Sequence, residues 1–443
     1  METRLVTAAW AQNRSRCVMP FTVVDRVDPV RVGVVVDRLG DADRLGVGDV
    51  VLRTIATMEP VAHAEETERR TSYLELFFDL VFVFAITQVT ALMLDDPTAA
   101  GFAKGALVLG MVYWAWSAYA WATNAIDLSV PLLRVGYLLA MGASFGMAVA
   151  VPDAFSGGAG WFAVPFFAVR MLHLFLYIHG LHDEPAHRAA VLRLTPWFAI
   201  APALALGGGF LEHDARVVVW TAALAIDVLG ALRMGPETGF RVSPHHFAER
   251  YALFIIIALG ESIVAVGAGL SGHTENAAFG LALGVAFVGV AAIWWAYFDF
   301  TAAVLARVLG NRAAEVRGPV ARDVFTLCHF PMVLGIILFA VAAKKTVGEP
   351  AAPLSGAGRF ALAAGIALFL LGFVAARYRI VRHVAYERVA AAALVVALVL
   401  ALPDLDALAL MAVVVGALVA GLTWETLHLR TFRAEVRAGP TQN

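Results

Sequence analysis

From Leu74 to Leu94 the chain reads LELFFDLVFVFAITQVTALML, an apolar stretch broken by two charged residues, Glu75 and Asp79. About 20 apolar residues in helical form cross a hydrocarbon core about 30 Å thick. Lipid offers no partner for free backbone groups, so a stretch of this length without strand alternation is expected to be a helix. Similar runs follow at 102–122, 132–151, 160–181, 189–210, 215–232, 251–270, 277–300, 321–343, 358–376, 388–403 and 406–427. The expected fold is therefore all-α, a polytopic transmembrane bundle of about 12 helices.

Composition agrees. Of 443 residues, 60% are hydrophobic and 15% charged, and mean hydropathy is +0.76. A soluble domain carries about 25% charged residues, so too few polar side chains remain to coat a water-facing globule, and the lipid bilayer is the first partner. The 33 basic and 35 acidic residues leave a net charge of −2, which argues against nucleic acid. The two cysteines, Cys17 and Cys328, lie in a polar leader and an apolar run, so neither a disulfide framework nor a cysteine-ligated metal site is expected.

Residues 1–57 carry eight scattered arginines and no run of signal-peptide or spanning length. They are expected to form a poorly structured extension, either a gene start placed upstream of a native Met58 or a small cytosolic addition. Residues 58–73 then form a cytoplasmic lead-in, 74–232 and 251–427 two six-helix halves, and 428–443 a cytoplasmic tail.

With the N terminus inside, nineteen arginines fall in short loops and ends on that side, against five basic residues (Lys104, Arg216, Lys344, Lys345 and Arg359) on the other. This bias predicts a plasma (inner) membrane protein with both termini cytoplasmic. An internal echo links the Tyr73 segment to that from Tyr251, and Trp114, Trp116 and Tyr119 to Trp294, Trp295 and Tyr297. Either two parallel six-helix repeats or the general enrichment of aromatic residues at membrane interfaces accounts for it.

Charge in hydrocarbon costs about 2.5–3.5 kcal/mol on insertion scales, so ionisable residues within spans are the candidates for function. Glu75 and Asp79, at i and i+4, share one helix face. They form either an ion-pair cluster at the helix end with Arg69 and Arg70 or a carboxylate pair facing a cavity. Glu261 sits mid-run in IIIALGESIVAVG, beside Gly260, where a neighbouring backbone has room to approach, and Ser262. Arg170 and His173 lie deep in the fourth run, and a buried guanidinium there needs a carboxylate, Glu261 or Asp227. Asp299 closes the eighth run as an interfacial cap or anchor, and Gln88, His179, His329 and Glu425 rank behind these.

His245, His246 and Glu249 precede the seventh run, but the sequence identifies no third ligand for a metal. No phosphate loop, dinucleotide fingerprint or zinc signature is present, so no cofactor is expected and no residue is singled out as catalytic.

LELFFDLVFVFAITQ from Leu74 resembles the signature of the bacterial low temperature requirement A (LtrA) family. HHFAERYALFIIIALGESI from His245 is similar to its second block, and WWAYFD from Trp294 and CHFPMVLGI from Cys328 are similar to further family segments. The resemblance covers about residue 65 to the C terminus. It implies an integral membrane protein linked by name to growth in the cold, with no settled biochemical activity.

Together these features point to a proton- or cation-linked secondary transporter of an unknown small molecule or ion. Asp79 and Glu261 would be its protonatable or cation-binding carboxylates and Arg170 its counter-charge or anion contact, with Glu75, His173, Asp227, Ser262 and Asp299 as further candidates. The alternatives are a membrane-embedded enzyme acting on lipid or isoprenoid, with Glu75, Asp79, His245, His246, Glu249 and Asp299 meeting at one interface, and a non-catalytic membrane protein of cold adaptation.

Overall fold

The computed structural model describes residues 70–235, 239–268 and 277–430, all within one compact unit, Ile55–Asn443. The expectations for residues 1–57, for most of the lead-in and for the tail beyond 430 lie outside the described residues.

Each of the twelve apolar runs carries a helix. These are α1 (Tyr73–Asp95), α2 (Ala99–Ala125), α3 (Pro131–Val149), α4 (Ala159–Gly180), α5 (Pro185–Gly208), α6 (His213–Leu232), α7 (Pro244–Ala268) and α8 (Ala277–Phe298). Two short helices, α9 (Thr301–Gly310) and α10 (Ala314–Ala321), lead through a π-helical segment, Arg322–Leu327, into α11 (Cys328–Gly348). The chain then forms α12 (Gly356–Val381), α13 (Tyr386–Ala401) and α14 (Ala407–His428). Among the described residues, ten helical stretches are long and apolar enough to cross a membrane. No strand occurs among the described residues, which contain one isolated bridge, Pro353 to Asp406.

Local chemistry sets the ends. Ser72 and Glu75 form a reciprocal capping box that opens α1. Thr98, Ser355 and Asp406 accept backbone N–H groups at the starts of α2, α12 and α14. Large apolar side chains such as Trp161, Phe210 and Leu400 stand more than two-thirds exposed. An outer surface of this kind is unfavourable in water and matches lipid, and the protein is a multi-pass membrane protein.

At the centre lies α11, which belongs to the most enclosed of the spanning stretches, Ala314–Gly348. It packs on α1, α2, α7, α8, α12 and α14. Its closest partner is α12, because a Cβ at Gly335 would stand 2.5 Å from the Gly365 carbonyl oxygen, and one at Gly365 only 2.8 Å from the Phe339 nitrogen. Glycine at both positions lets the two backbones touch, the usual device for helix association in lipid. Gly260 does not act this way: the space beside it is open, with nothing within 4 Å of a would-be Cβ.

The helix pairings recur along the chain. In α1–α6 the first helix packs on the second and third, the third on the fourth, the fourth on the fifth, the fifth on the sixth, and the second on the sixth. Setting α7, α8, α11, α12, α13 and α14 in those six places, the same pairs are in contact.

Candidate functional site

The site is built on α1 and α7. Glu75 divides its carboxylate between two tasks. Oε2 accepts the Ser72 N–H and hydroxyl, each at 2.8 Å, and so holds the start of α1, while Oε1 lies 2.9 Å from His246 Nε2 on α7. One turn further, Asp79 receives Arg250 Nη1 at 2.7 Å on Oδ2 and Nη2 at 2.9 Å on Oδ1, a bidentate pair. Trp116 of α2 donates its indole N–H to Oδ1 at 2.8 Å, and its ring lies under the Arg250 guanidinium at 5.6 Å. Both helices present these residues at i and i+4, so two rungs, Glu75–His246 and Asp79–Arg250, stack on facing stripes of helices that run in the same direction.

A hydrogen-bond chain fixes the His246 tautomer. Asn124 Oδ1 accepts the Ser243 N–H at 2.8 Å, which orients the amide so that Nδ2 faces the Ser243 carbonyl and His246 Nδ1, each at 3.1 Å. His246 Nδ1 therefore accepts, and the ring proton sits on Nε2, directed at Glu75. Glu75, Asp79, His246 and Arg250 are all buried, so the charges of Glu75, Asp79 and Arg250 depend on their partners rather than on water.

Beyond this ladder the polar contacts continue across the same part of the bundle. Tyr251 shares its hydroxyl with Ser117 at 2.7 Å and Thr326 at 2.6 Å, and Thr326 also accepts the Trp121 indole N–H at 3.0 Å. Thr326 lies in the π-helical segment, whose Phe325 and Thr326 carbonyls accept the Tyr113 hydroxyl at 3.2 and 2.8 Å. Widened turns of this kind displace backbone carbonyls from the helical ladder and recur at functional sites.

Arg170 pairs with Asp227, the second of its two expected partners, at 2.7 Å. Its Nη1 reaches the Trp114 carbonyl at 3.5 Å, and its Nε has no hydrogen-bond partner. His173, one turn along α4, is buried with neither ring nitrogen hydrogen-bonded; the Ala118 carbonyl is near but outside hydrogen-bond geometry. Both residues line a cavity of about 50 Å³ together with Arg322 and Thr326.

Glu261 stands apart from these groups. It is 2% exposed on α7 and accepts a short hydrogen bond from the Thr87 hydroxyl of α1, with Thr90 beside it and Lys344 of α11 within electrostatic reach. Thr87 lies twelve residues beyond Glu75, or about 18 Å along the helix at about 1.5 Å per residue. Phe82, Ile86, Phe254 and Ala258, all buried, fill the α1 and α7 segments between the Asp79 and Glu261 levels.

The expected residues thus fall into three groups: Glu75 and Asp79 on the α1–α7 ladder, Arg170 with Asp227 and His173 at the cavity, and Glu261 on its threonines. Asp79, Glu261 and Arg170 are not paired with one another. Ser262 turns its hydroxyl back to the Ala258 carbonyl of its own helix at 3.4 Å. Asp299 follows the last residue of α8, half-buried, its N–H on the Trp295 carbonyl. His329 bonds Tyr297 and the Val324 carbonyl, and Glu425 pairs with Arg388. His246 points inward while His245 and Glu249 face outward, Glu249 accepting the Thr71 N–H at 3.1 Å, so the three do not converge.

His246 was named only within the group His245, His246 and Glu249, and neither it nor Arg250 was matched to Glu75 and Asp79, because the apolar run begins only at residue 251, whereas α7 begins at Pro244. A signal was available: His246 and Arg250 repeat on α7 the four-residue spacing of Glu75 and Asp79 on α1.

A protein of Rhizobium meliloti (strain 1021), named as uncharacterized, is 30% identical over 383 residues, covering 83% of this chain and 92% of its own. No solved structure matches the chain. The family model described as "Bacterial low temperature requirement A protein (LtrA)" matches residues 70–420, a span that contains both helices of the ladder, the cavity and Glu261. The chain belongs to the bacterial low temperature requirement A family.

Proposed function

We propose that this protein is a proton- or cation-linked secondary transporter, with Glu261 as the carboxyl group that takes up and releases the coupling ion. One contrast carries the reading. Of the five buried acidic residues among those described, Asp79, Asp227 and Glu425 each have an arginine within salt-bridge distance, Glu75 is tied to the start of α1 and to His246, and Glu261, mid-span, has hydroxyl groups. A buried carboxyl group held by neutral donors exists in either protonation state without abandoning an ion pair, which suits it to carry charge. Asp79, saturated by Arg250 and Trp116, instead locks α1 to α7.

Inner-membrane location with cytoplasmic termini is supported by the arginine bias. Two parallel six-helix repeats are supported by the recurring helix pairings. In that arrangement α1 and α7 are equivalent first helices, and the ladder and Glu261 lie along the seam between the repeats.

The test is reconstitution of the full chain and of Glu261→Gln in liposomes carrying an internal pH dye. Glu261→Gln keeps an acceptor for Thr87, so folding is expected to survive while ion-coupled flux disappears. A folded Glu261→Gln protein with wild-type flux would refute the assignment.

A further inference from the structure

We propose that the cavity among α2, α4, α5, α6 and the π-helical segment binds a small, planar, singly charged oxyanion: a carboxylate of one or two carbons, or an inorganic anion of that shape such as nitrate. The inference deepens the transport reading and rests on it only for the onward movement of the anion.

Charge decides the sign of the ligand. Arg170, Arg322 and His173 line the cavity, and no carboxylate does so among the described residues. Asp227 holds Arg170, and Asp323 holds Arg322, from outside the cavity wall. Arg322 is fully engaged, its Nη1 on the carbonyls of Ala231, Leu232 and Met234 and its other nitrogens on Asp323. It contributes field rather than a free donor.

Hydrogen bonding decides where the ligand sits. The Arg170 Nε and the His173 ring nitrogens are buried beside the cavity without a well-formed hydrogen bond, the ring having only the Ala118 carbonyl near it. Native interiors rarely leave such groups without a partner, so their clustering on one wall marks a place where something binds. The Ser117 and Thr326 hydroxyls are committed to Tyr251 and leave the contact to α4.

Size and shape narrow the class. The cavity measures about 50 Å³, roughly a third of the 150 Å³ or so that accepts benzene. Only a few non-hydrogen atoms fit. Indole and phenyl rings of Trp114, Trp121 and Phe198 wall the space, which favours a flat molecule that meets ring faces while its edge accepts from Arg170 and His173.

The experiment uses the full-length protein in lipid nanodiscs. Its tryptophan fluorescence, which includes Trp114 and Trp121 of the cavity wall, is followed on titration with sodium formate, acetate, nitrate or chloride, with sodium gluconate holding ionic strength constant. A saturable change with formate, acetate or nitrate is expected, with chloride weaker by tenfold or more. Ala118→Leu fills the cavity from α2 without removing a charged group and should weaken the oxyanion response at least tenfold. Should that variant fail to fold, His173→Phe, which removes the ring nitrogens, serves the same purpose. Absence of a saturable change in the wild type, an unchanged response in the cavity variant, or a chloride response equal to that of the oxyanions would overturn the proposal. The two readings stay separable: binding without any flux in the wild type removes the transport reading alone, and flux without saturable binding removes the anion site alone.

Discussion

Arg250 grips Asp79 through two hydrogen bonds of 2.7 and 2.9 Å across a separation of 171 residues. Both partners are buried, Arg250 completely, and the pair joins α1 to α7. Removing one member leaves the other charge without compensation, which costs about 3–5 kcal/mol. Asp79→Asn and Arg250→Gln should each lower the thermal unfolding midpoint sharply in detergent, while the double variant, which leaves two neutral amides facing one another, should recover most of the loss. If the double variant is as unstable as the sum of the singles, the two side chains do not act as a pair.

Thr87 tests a gentler dependence. Thr87→Val keeps the shape of the side chain and removes the hydroxyl that donates to Glu261. Stability should fall by about 1–3 kcal/mol, the cost of depriving a buried polar group of its partner. Chemical denaturation of this variant beside Asp79→Asn checks the order, and a larger loss for Thr87→Val would contradict it.

The glycines provide a contrast of sign. Gly335→Ala must push α11 away from α12, since its Cβ would lie 2.5 Å from the Gly365 carbonyl oxygen, and forced overpacking costs about 1–3 kcal/mol. Gly260→Ala meets open space on α7 and should be neutral, or stabilising by about 0.5–1 kcal/mol through reduced freedom of the unfolded chain. Parallel melting curves of the two variants decide the matter.

Tyr113→Phe removes the hydroxyl that serves the Phe325 and Thr326 carbonyls at the wide turn entering α11. Amide hydrogen exchange should accelerate within 322–330 and stay unchanged in α14, which does not contain the bond. Uniform acceleration throughout the bundle would instead indicate general destabilisation.

Hydrophobic run length and arginine placement determined the membrane character, the helical class and the position of every spanning helix, because a bilayer imposes thickness and backbone satisfaction on each segment separately. Glu75, Asp79, Arg170 and Glu261 were equally visible as candidates, since charge within an apolar run stands out locally. Their partners were not. Hydropathy began the seventh run at Tyr251 and so left His246 and Arg250 outside it, whereas α7 begins at Pro244 and brings them to Glu75 and Asp79. Arg170 could have paired with Glu261 or Asp227, and the packing of α4 against its neighbours chose Asp227. Partner choice depends on which helix faces meet, a property of the whole bundle that no single segment encodes, and that packing alone left Glu261 among hydroxyl groups.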